Sequence, residues 1–300
     1  MIYDVAIIGA GPGGISAAIY AKRSGLSVIV FESKMIGGLL NYTNVVDNYP
    51  GFSKISGPDL AFKMNEHFKT FDIEYKNENV IDIKDGEVKT VATKSGEYST
   101  RNVIIATGRS RRSLGVKGEE ELKGHGISYC AMCDGNFYKG KKVAVVGAGD
   151  SSLEESIYLS NIVDSVTILV RGSRLSGSQT LIDEVEKRDN IEVEFGVSIQ
   201  ELKSEEGKLS GVVLTDGQIL KVDGIFVYIG FDPVLPFETE LNIKRDRGYI
   251  VVNENFETSI SGIYAIGDII KKDLYQIIAA EYEGAMAATH ISKQIDKGNK

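Results

Sequence analysis

Apolar runs and helical periods alternate along this chain in an order that predicts a layered α/β protein. Residues 3–8 form a short apolar run that stops at Gly9-Ala10-Gly11-Pro12-Gly13-Gly14, and residues 15–24 continue with helical character. A second apolar run, residues 28–31, is closed by Glu32. Residues 60–70 read as a helix, and the alternation over residues 73–93 predicts a small antiparallel sheet. Val103-Ile104-Ile105-Ala106-Thr107-Gly108 is a buried strand ending in a glycine turn, and residues 115–126 read as a polar crossing. Alternation returns over residues 191–223, and residues 224–230 form a further strand. Ile263-Tyr264-Ala265-Ile266-Gly267-Asp268 is a strand whose last aspartate is placed to bind a polyol chain. The amphipathic residues 277–294 predict a terminal helix lying on the first domain.

The strand–glycine turn–helix–strand unit occurs twice. Gly147-Ala148-Gly149-Asp150-Ser151-Ser152 repeats Gly9 to Gly14, and at the same offset Val143-Ala144 matches Val5-Ala6, Ile157-Tyr158 matches Ile19-Tyr20, and Val166 matches Val28. A GxGxxG alone is weak evidence, but a preceding strand, a following helix and a trailing acid make it a dinucleotide-binding signature. In the first unit Gly9 permits the tight turn, Gly11 lets backbone approach a pyrophosphate, and Gly14 lets helix pack on strand. Glu32 is then positioned to accept hydrogen bonds from ribose hydroxyls. In the second unit Gly147, Gly149 and Ser152 take the glycine positions, and Val170 stands where the acid would be, followed by Arg171 and Arg174. That substitution argues against NAD and permits a 2′-phosphorylated dinucleotide.

The fold expected is therefore α/β, with two Rossmann-like (three-layer ββα) dinucleotide-binding domains, the second inserted into the first. Residues 1–112 and 248–300 would form one domain and residues 113–247 the other. Gly37-Gly38-Leu39-Leu40 and Asn48-Tyr49-Pro50-Gly51-Phe52 are turn-rich stretches suited to wrapping a flat ring system.

Net charge is −8, which argues against nucleic acid as a partner. No apolar run is long enough to span a membrane, and the N-terminus passes directly into a strand, so a cytoplasmic location is expected. The basic stretch Arg109-Ser110-Arg111-Arg112 reads as a solvated hinge, or else as a docking patch for an acidic partner. His67, His125 and His290 read as surface or packing residues.

The two cysteines of the chain stand together in Cys130-Ala131-Met132-Cys133-Asp134. A structural zinc site needs four ligands, and no second cysteine pair or histidine cluster supplies them; idle buried thiols are the other bland reading. A redox-active pair explains the spacing better, because one sulfur serves as thiolate and the other closes the disulfide. Asp134 beside the second sulfur is placed to exchange the proton. The pair lies directly before the second glycine turn, so it belongs to the inserted domain.

Gly9-x-Gly11-x-x-Gly14, Asn48-x-Pro50-Gly51, Ala106-Thr107-Gly108, the cysteine pair with Asp134, and Gly267-Asp268 follow one another along the whole chain. In this combination the chain resembles the bacterial-type, low-molecular-weight thioredoxin reductases. The resemblance implies FAD held by the end-derived domain, with Gly38 and Gln276 added to the motif residues at its site. It further implies a homodimer that reduces a thioredoxin-like protein, with Cys133 facing the flavin, Cys130 attacking thioredoxin, and Asp134 as general acid. The inserted domain would rotate about linkers near residues 110–115 and 244–248. A flavin-dependent dithiol oxidase and a non-catalytic flavin redox sensor are the competing functions.

Some positions depart from the family. Its second strand is usually followed by His-Arg-Arg and a further arginine, which hold the NADPH phosphate. Here Val170-Arg171-Gly172-Ser173-Arg174-Leu175-Ser176 keeps one arginine in register. Leu39 replaces a glutamine near the flavin, and Tyr275 precedes Gln276 where arginine is usual. Each lost charged hydrogen bond costs about 1.5–3 kcal/mol. Reduced ferredoxin therefore stands beside NADPH as the expected donor. A ferredoxin near about −400 mV lies roughly 130 mV below thioredoxin, or roughly 6 kcal/mol over two electrons.

Overall fold

The computed structural model describes residues 1–43, 45–237 and 241–298. The chain divides into two compact units, Met1–Ser110 with Asp232–Lys300, and Arg111–Phe231.

In the first unit a seven-stranded sheet runs Glu74–Lys76, Val28–Phe31, Ile2–Ile8, Glu97–Ile105, Lys89–Thr93, Val80–Lys84, with Ile263–Ala265 also paired to Glu97–Ile105. The Ile2–Ile8 strand is central and parallel to both neighbours, and Val5, Ala6 and Ile7 are fully buried, as expected for a strand covered on both faces. Helix Pro12–Arg23 starts at Gly11 with proline at its first position, where a missing N–H costs nothing. The terminal helix Ile277–Gly298 crosses it at a glycine contact: a Cβ on Gly284 would lie 2.3 Å from the Gly13 carbonyl oxygen. Helix Gly57–Lys69 is capped by Ser56, whose Oγ accepts from Asp59 N at 3.1 Å.

The second unit carries a five-stranded, all-parallel sheet in the order Ile191–Phe195, Ser165–Val170, Lys142–Val146, Gly224–Val227, Ile127–Ser128. A separate antiparallel sheet is built from Ile199–Glu205, Lys208–Leu214 and Ile219–Leu220. Among the described residues no helix is long and apolar enough to cross a membrane.

Two features differ from the sequence expectation. Residues 73–93 do not make a sheet of their own. Glu74–Lys76 joins Val28–Phe31 in parallel, and the hairpin Val80–Lys84/Lys89–Thr93 extends the same sheet through Glu97–Ile105. The return from the second unit also falls before residue 232, upstream of the turn at residues 244–248. The cause is apolar: Phe237 and Ile243 are each 5% exposed and pack with Phe31, Ile250 and Ile263 of the first unit.

Candidate redox turn and nucleotide turns

In open α/β sheets ligands gather outside the carboxyl ends of the strands, and the candidate residues of each unit converge there. In the first unit Gly9, Glu32, Ala106 and Gly267 directly follow or closely follow the ends of Ile2–Ile8, Val28–Phe31, Glu97–Ile105 and Ile263–Ala265. Gly9 has φ +106°, and a Cβ there would sit 2.3 Å from the Ala106 carbonyl oxygen. A Cβ on Gly14 would sit 2.0 Å from the Gly9 oxygen, so helix and turn touch backbone to backbone. Glu32 Oε2 accepts from Ala10 N at 2.9 Å and Oε1 from Lys34 N at 2.8 Å, which orients the carboxylate at the turn.

Distant candidates also meet. Asn48 Nδ2 donates to Gln276 Oε1 at 3.1 Å, and Gly38 comes so close to Gly11 that a Cβ on it would lie 3.3 Å from the Gly11 Cα. Thr107 Oγ1 donates to the Val234 carbonyl, and Gly108 O accepts from Val234 N at 2.9 Å. Gly267 N donates to Glu283 Oε2 at 2.7 Å. Asp268 Oδ2 lies 2.9 Å from Arg109 Nε, and its other oxygen lies 3.7 Å from Lys272 Nζ. The turn leaves room for a dinucleotide's pyrophosphate. A Cβ on Gly11 would meet nothing within 4 Å, so the helix N-terminus opens onto free space beside a fixed carboxylate.

The second turn keeps the same backbone logic. Gly147 has φ +150°, and a Cβ on it would lie 2.4 Å from the Tyr228 carbonyl oxygen. Helix Asp150–Ser160 starts at Gly149 without a side-chain cap. Ser152, buried in the third glycine position, donates its hydroxyl to the Gly149 carbonyl at 2.7 Å. Ser176 N donates to Ala148 O at 2.8 Å, as Gly37 N does to Ala10 O in the first unit, also at 2.8 Å. Arg171 and Arg174 are exposed.

Cys130 and Cys133 form a disulfide at the carboxyl edge of the second sheet, just past Ile127–Ser128. Cys130 is the N-cap of the one-turn helix Ala131–Asp134. Its Sγ accepts from Cys133 N at 3.2 Å, a bond that favours negative charge on the Cys130 sulfur once the disulfide opens. Cys130 N donates to Ser128 Oγ at 3.0 Å, and the same hydroxyl donates to Asp134 Oδ2 at 2.7 Å. One serine thus fixes both the first sulfur's backbone and the carboxylate. Cys130 is 7% exposed, whereas Cys133 is exposed.

Two groups in this unit, Tyr228 and Glu155, had no signal in the motif reading. Tyr228 follows the strand Gly224–Val227, and its hydroxyl accepts from Ala131 N at 2.9 Å. The Arg111 guanidinium carbon lies 5.2 Å from the Tyr228 ring centre. Glu155, on the helix after the second turn, has a buried Oε2 without a hydrogen-bond partner among the described residues. Burial pushes the Glu155 carboxyl up to about 7, helped by Glu154 and opposed by the Arg111 charge. A carboxyl raised on folding adds stability that is full below its unfolded value near 4.5 and is lost as pH rises through about 7. Glu155→Gln is therefore expected to stabilise the chain at pH 8 by about 1–2 kcal/mol and to change nothing at pH 4, read from urea midpoints.

Two arginines of the basic stretch have partners within their own units. Arg109 is taken up by Asp268 and by the Tyr275 ring, 4.4 Å from its guanidinium carbon, and Arg111 by Tyr228. Of the three arginines, Arg112 is the exposed one. Sequence spacing could not show this, because the acceptors lie far along the chain.

Residues 3–284 match the pyridine nucleotide-disulphide oxidoreductase family. A thioredoxin reductase of Bacillus subtilis is 42% identical over 303 residues, covering 99% of this chain and 96% of that protein. The crystal structure of Lactococcus lactis thioredoxin reductase (FR conformation) superposes with a TM-score of 0.92 at 37% identity, covering 98% of this chain and 99% of that one. A ferredoxin-flavin thioredoxin reductase from Clostridium acetobutylicum is more distant, with a TM-score of 0.54 at 30% identity over 98% of each chain.

Proposed function

The chain belongs to the thioredoxin reductases of the pyridine nucleotide-disulphide oxidoreductase family, and on that premise we propose how its residues divide the work. The first unit is the FAD domain, holding the cofactor through Gly9, Gly11, Gly14, Glu32, Gly38, Asn48, Ala106, Thr107, Gly108, Gly267, Asp268 and Gln276. The second unit carries the dithiol and the second dinucleotide turn. The observation carrying this reading is the Cys130–Cys133 disulfide set at a strand end, with one sulfur already accepting an N–H.

FAD, when bound, supplies the electron pair that opens the disulfide. Cys130, its charge favoured by the Cys133 N–H, then attacks one sulfur of the thioredoxin disulfide. That bond breaks, and the departing thiolate takes a proton through Asp134, which Ser128 holds in place and which receives it from the Cys130 thiol. Cys133 next attacks the mixed disulfide at Cys130, the Cys130–Cys133 bond re-forms, and the second thioredoxin thiol is released. Two electrons and two protons have moved.

For the donor, the intact second turn supports NADPH, with Gly147, Gly149, Ser152, Arg171 and Arg174 as its contacts. The two remaining exposed arginines support a second reading, reduced ferredoxin, since little charge is left for a 2′-phosphate. Anaerobic mixing separates them. NADPH should bleach the flavin, with a KM lowered at least about tenfold by Ser176→Arg. Bleaching by reduced ferredoxin alone assigns the second donor, and a bleached flavin that leaves both cysteines oxidised removes the disulfide-reductase reading.

A homodimer is proposed from the terminal helix. Ile278, Tyr282 and Met286 recur every fourth residue and are 47%, 59% and 38% exposed, an apolar stripe that a second copy would cover. Sedimentation at a single-chain mass would refute it.

A further inference from the structure

The first amide of the redox turn is held by a residue that no motif includes. Ala131 is fully buried, and its N–H, the first of the one-turn helix, donates to Tyr228 Oη at 2.9 Å. The side chain that accepts it is fixed at both ends. Tyr228 N donates to Val146 O at 2.8 Å, tying the residue to the neighbouring strand, and the Arg111 guanidinium lies over the ring. The topology explains the meeting: Ile127–Ser128 and Gly224–Val227 are adjacent parallel strands, so Cys130 and Tyr228 emerge side by side from one edge.

A tyrosine hydroxyl more often donates than accepts, and here it presents a lone pair to a backbone N–H. Burial, with the Glu155 carboxylate adding to it, raises the Tyr228 hydroxyl well above its ordinary value, so the oxygen stays neutral. A neutral acceptor satisfies the N–H without adding charge beside the sulfurs.

We propose that Tyr228 is a positioning residue for the redox pair: by holding the Ala131 N–H it keeps that dipole off Cys130, and so sets how readily the Cys130 sulfur carries negative charge. This rests on the reading of Cys130 as the attacking sulfur. Two backbone donors belong to this turn. The Cys133 N–H is given to that sulfur, and the Ala131 N–H is withheld.

Tyr228→Phe removes the acceptor and leaves the ring. A buried N–H that has lost its partner keeps an uncompensated positive end one residue from the sulfur, and that field favours charge on it. The Cys130 thiol of the reduced variant should fall by about one pKa unit, read from the pH dependence of alkylation by iodoacetamide. Equilibrium with a reference dithiol, measured at a pH above the Cys130 value in both proteins, should shift about tenfold toward the reduced enzyme, which is about 30 mV. Flavin absorbance and thermal midpoint serve as controls for a general disturbance. A folded variant with unchanged alkylation profile and unchanged equilibrium overturns the proposal. Should the variant not fold, amide exchange in the wild-type holoenzyme decides instead: Ala131 N–H should be protected in both redox states, and fast exchange in either overturns the proposal. Failure of the reading beneath it is seen separately, because it would appear as Cys130 failing to bond thioredoxin in a chain where Tyr228 is intact.

Discussion

Cys133→Ser should trap a stable mixed disulfide with thioredoxin, and Cys130→Ser should not, while both lose turnover by about three orders of magnitude or more. The asymmetry comes from the redox turn. Cys130 Sγ receives the Cys133 N–H, and the one-turn helix begins there, so charge on this sulfur is favoured. The serine at 133 keeps its backbone N–H, and the donor to Cys130 survives the change. With no second sulfur to resolve the bond, the complex persists and shows on a non-reducing gel. The exposures point the other way, since Cys133 is the exposed sulfur of the oxidised pair and Cys130 is 7% exposed. The hydrogen bond is the better guide, because opening the disulfide frees the Cys130 side chain to turn, whereas the backbone N–H remains. A mixed disulfide formed by Cys130→Ser and absent from Cys133→Ser would reverse the assignment.

Gly14→Ala and Gly11→Ala should fail in different ways. At Gly14 the added methyl carbon meets Gly9 O at 2.0 Å and Gly9 C at 3.0 Å, both backbone atoms at the centre of the sheet edge. Neither atom moves cheaply, so helix Pro12–Arg23 must shift off the strand. The expected loss is about 3 kcal/mol, with colourless protein on purification. At Gly11 the same methyl meets nothing within 4 Å and φ is −73°, which any residue adopts. Gly11→Ala should fold with an unchanged apoprotein melting temperature and still lose flavin by at least about tenfold, because the methyl stands where a pyrophosphate approaches. Equal melting temperatures for the two apoproteins would refute the distinction.

The glycine turns, the trailing acid and the cysteine pair were legible because each relies on local chain chemistry: a positive φ, a close backbone approach, two thiols one turn apart. What escaped were contacts made by topology. Tyr228 reaches the redox turn only because its strand lies beside Ile127–Ser128, and Glu283 reaches Gly267 N from the terminal helix. Nothing in the spacing of Arg109 and Asp268 announces their pairing either. The misplaced return has the same origin. Residues 234–247 carry apolar side chains suitable for either unit, and only three-dimensional packing assigns Phe237 and Ile243 to the first.

The insertion has a consequence for synthesis. Arg111–Phe231 is contiguous, so its sheet can close while the remainder is still being translated. The other unit must wait, because the strand Ile263–Ala265 that pairs with Glu97–Ile105 and the helix Ile277–Gly298 that packs on Pro12–Arg23 are translated only after the second unit. Its nascent sheet edge stays open through that interval, and protease challenge of stalled chains should find the later-begun half protected first.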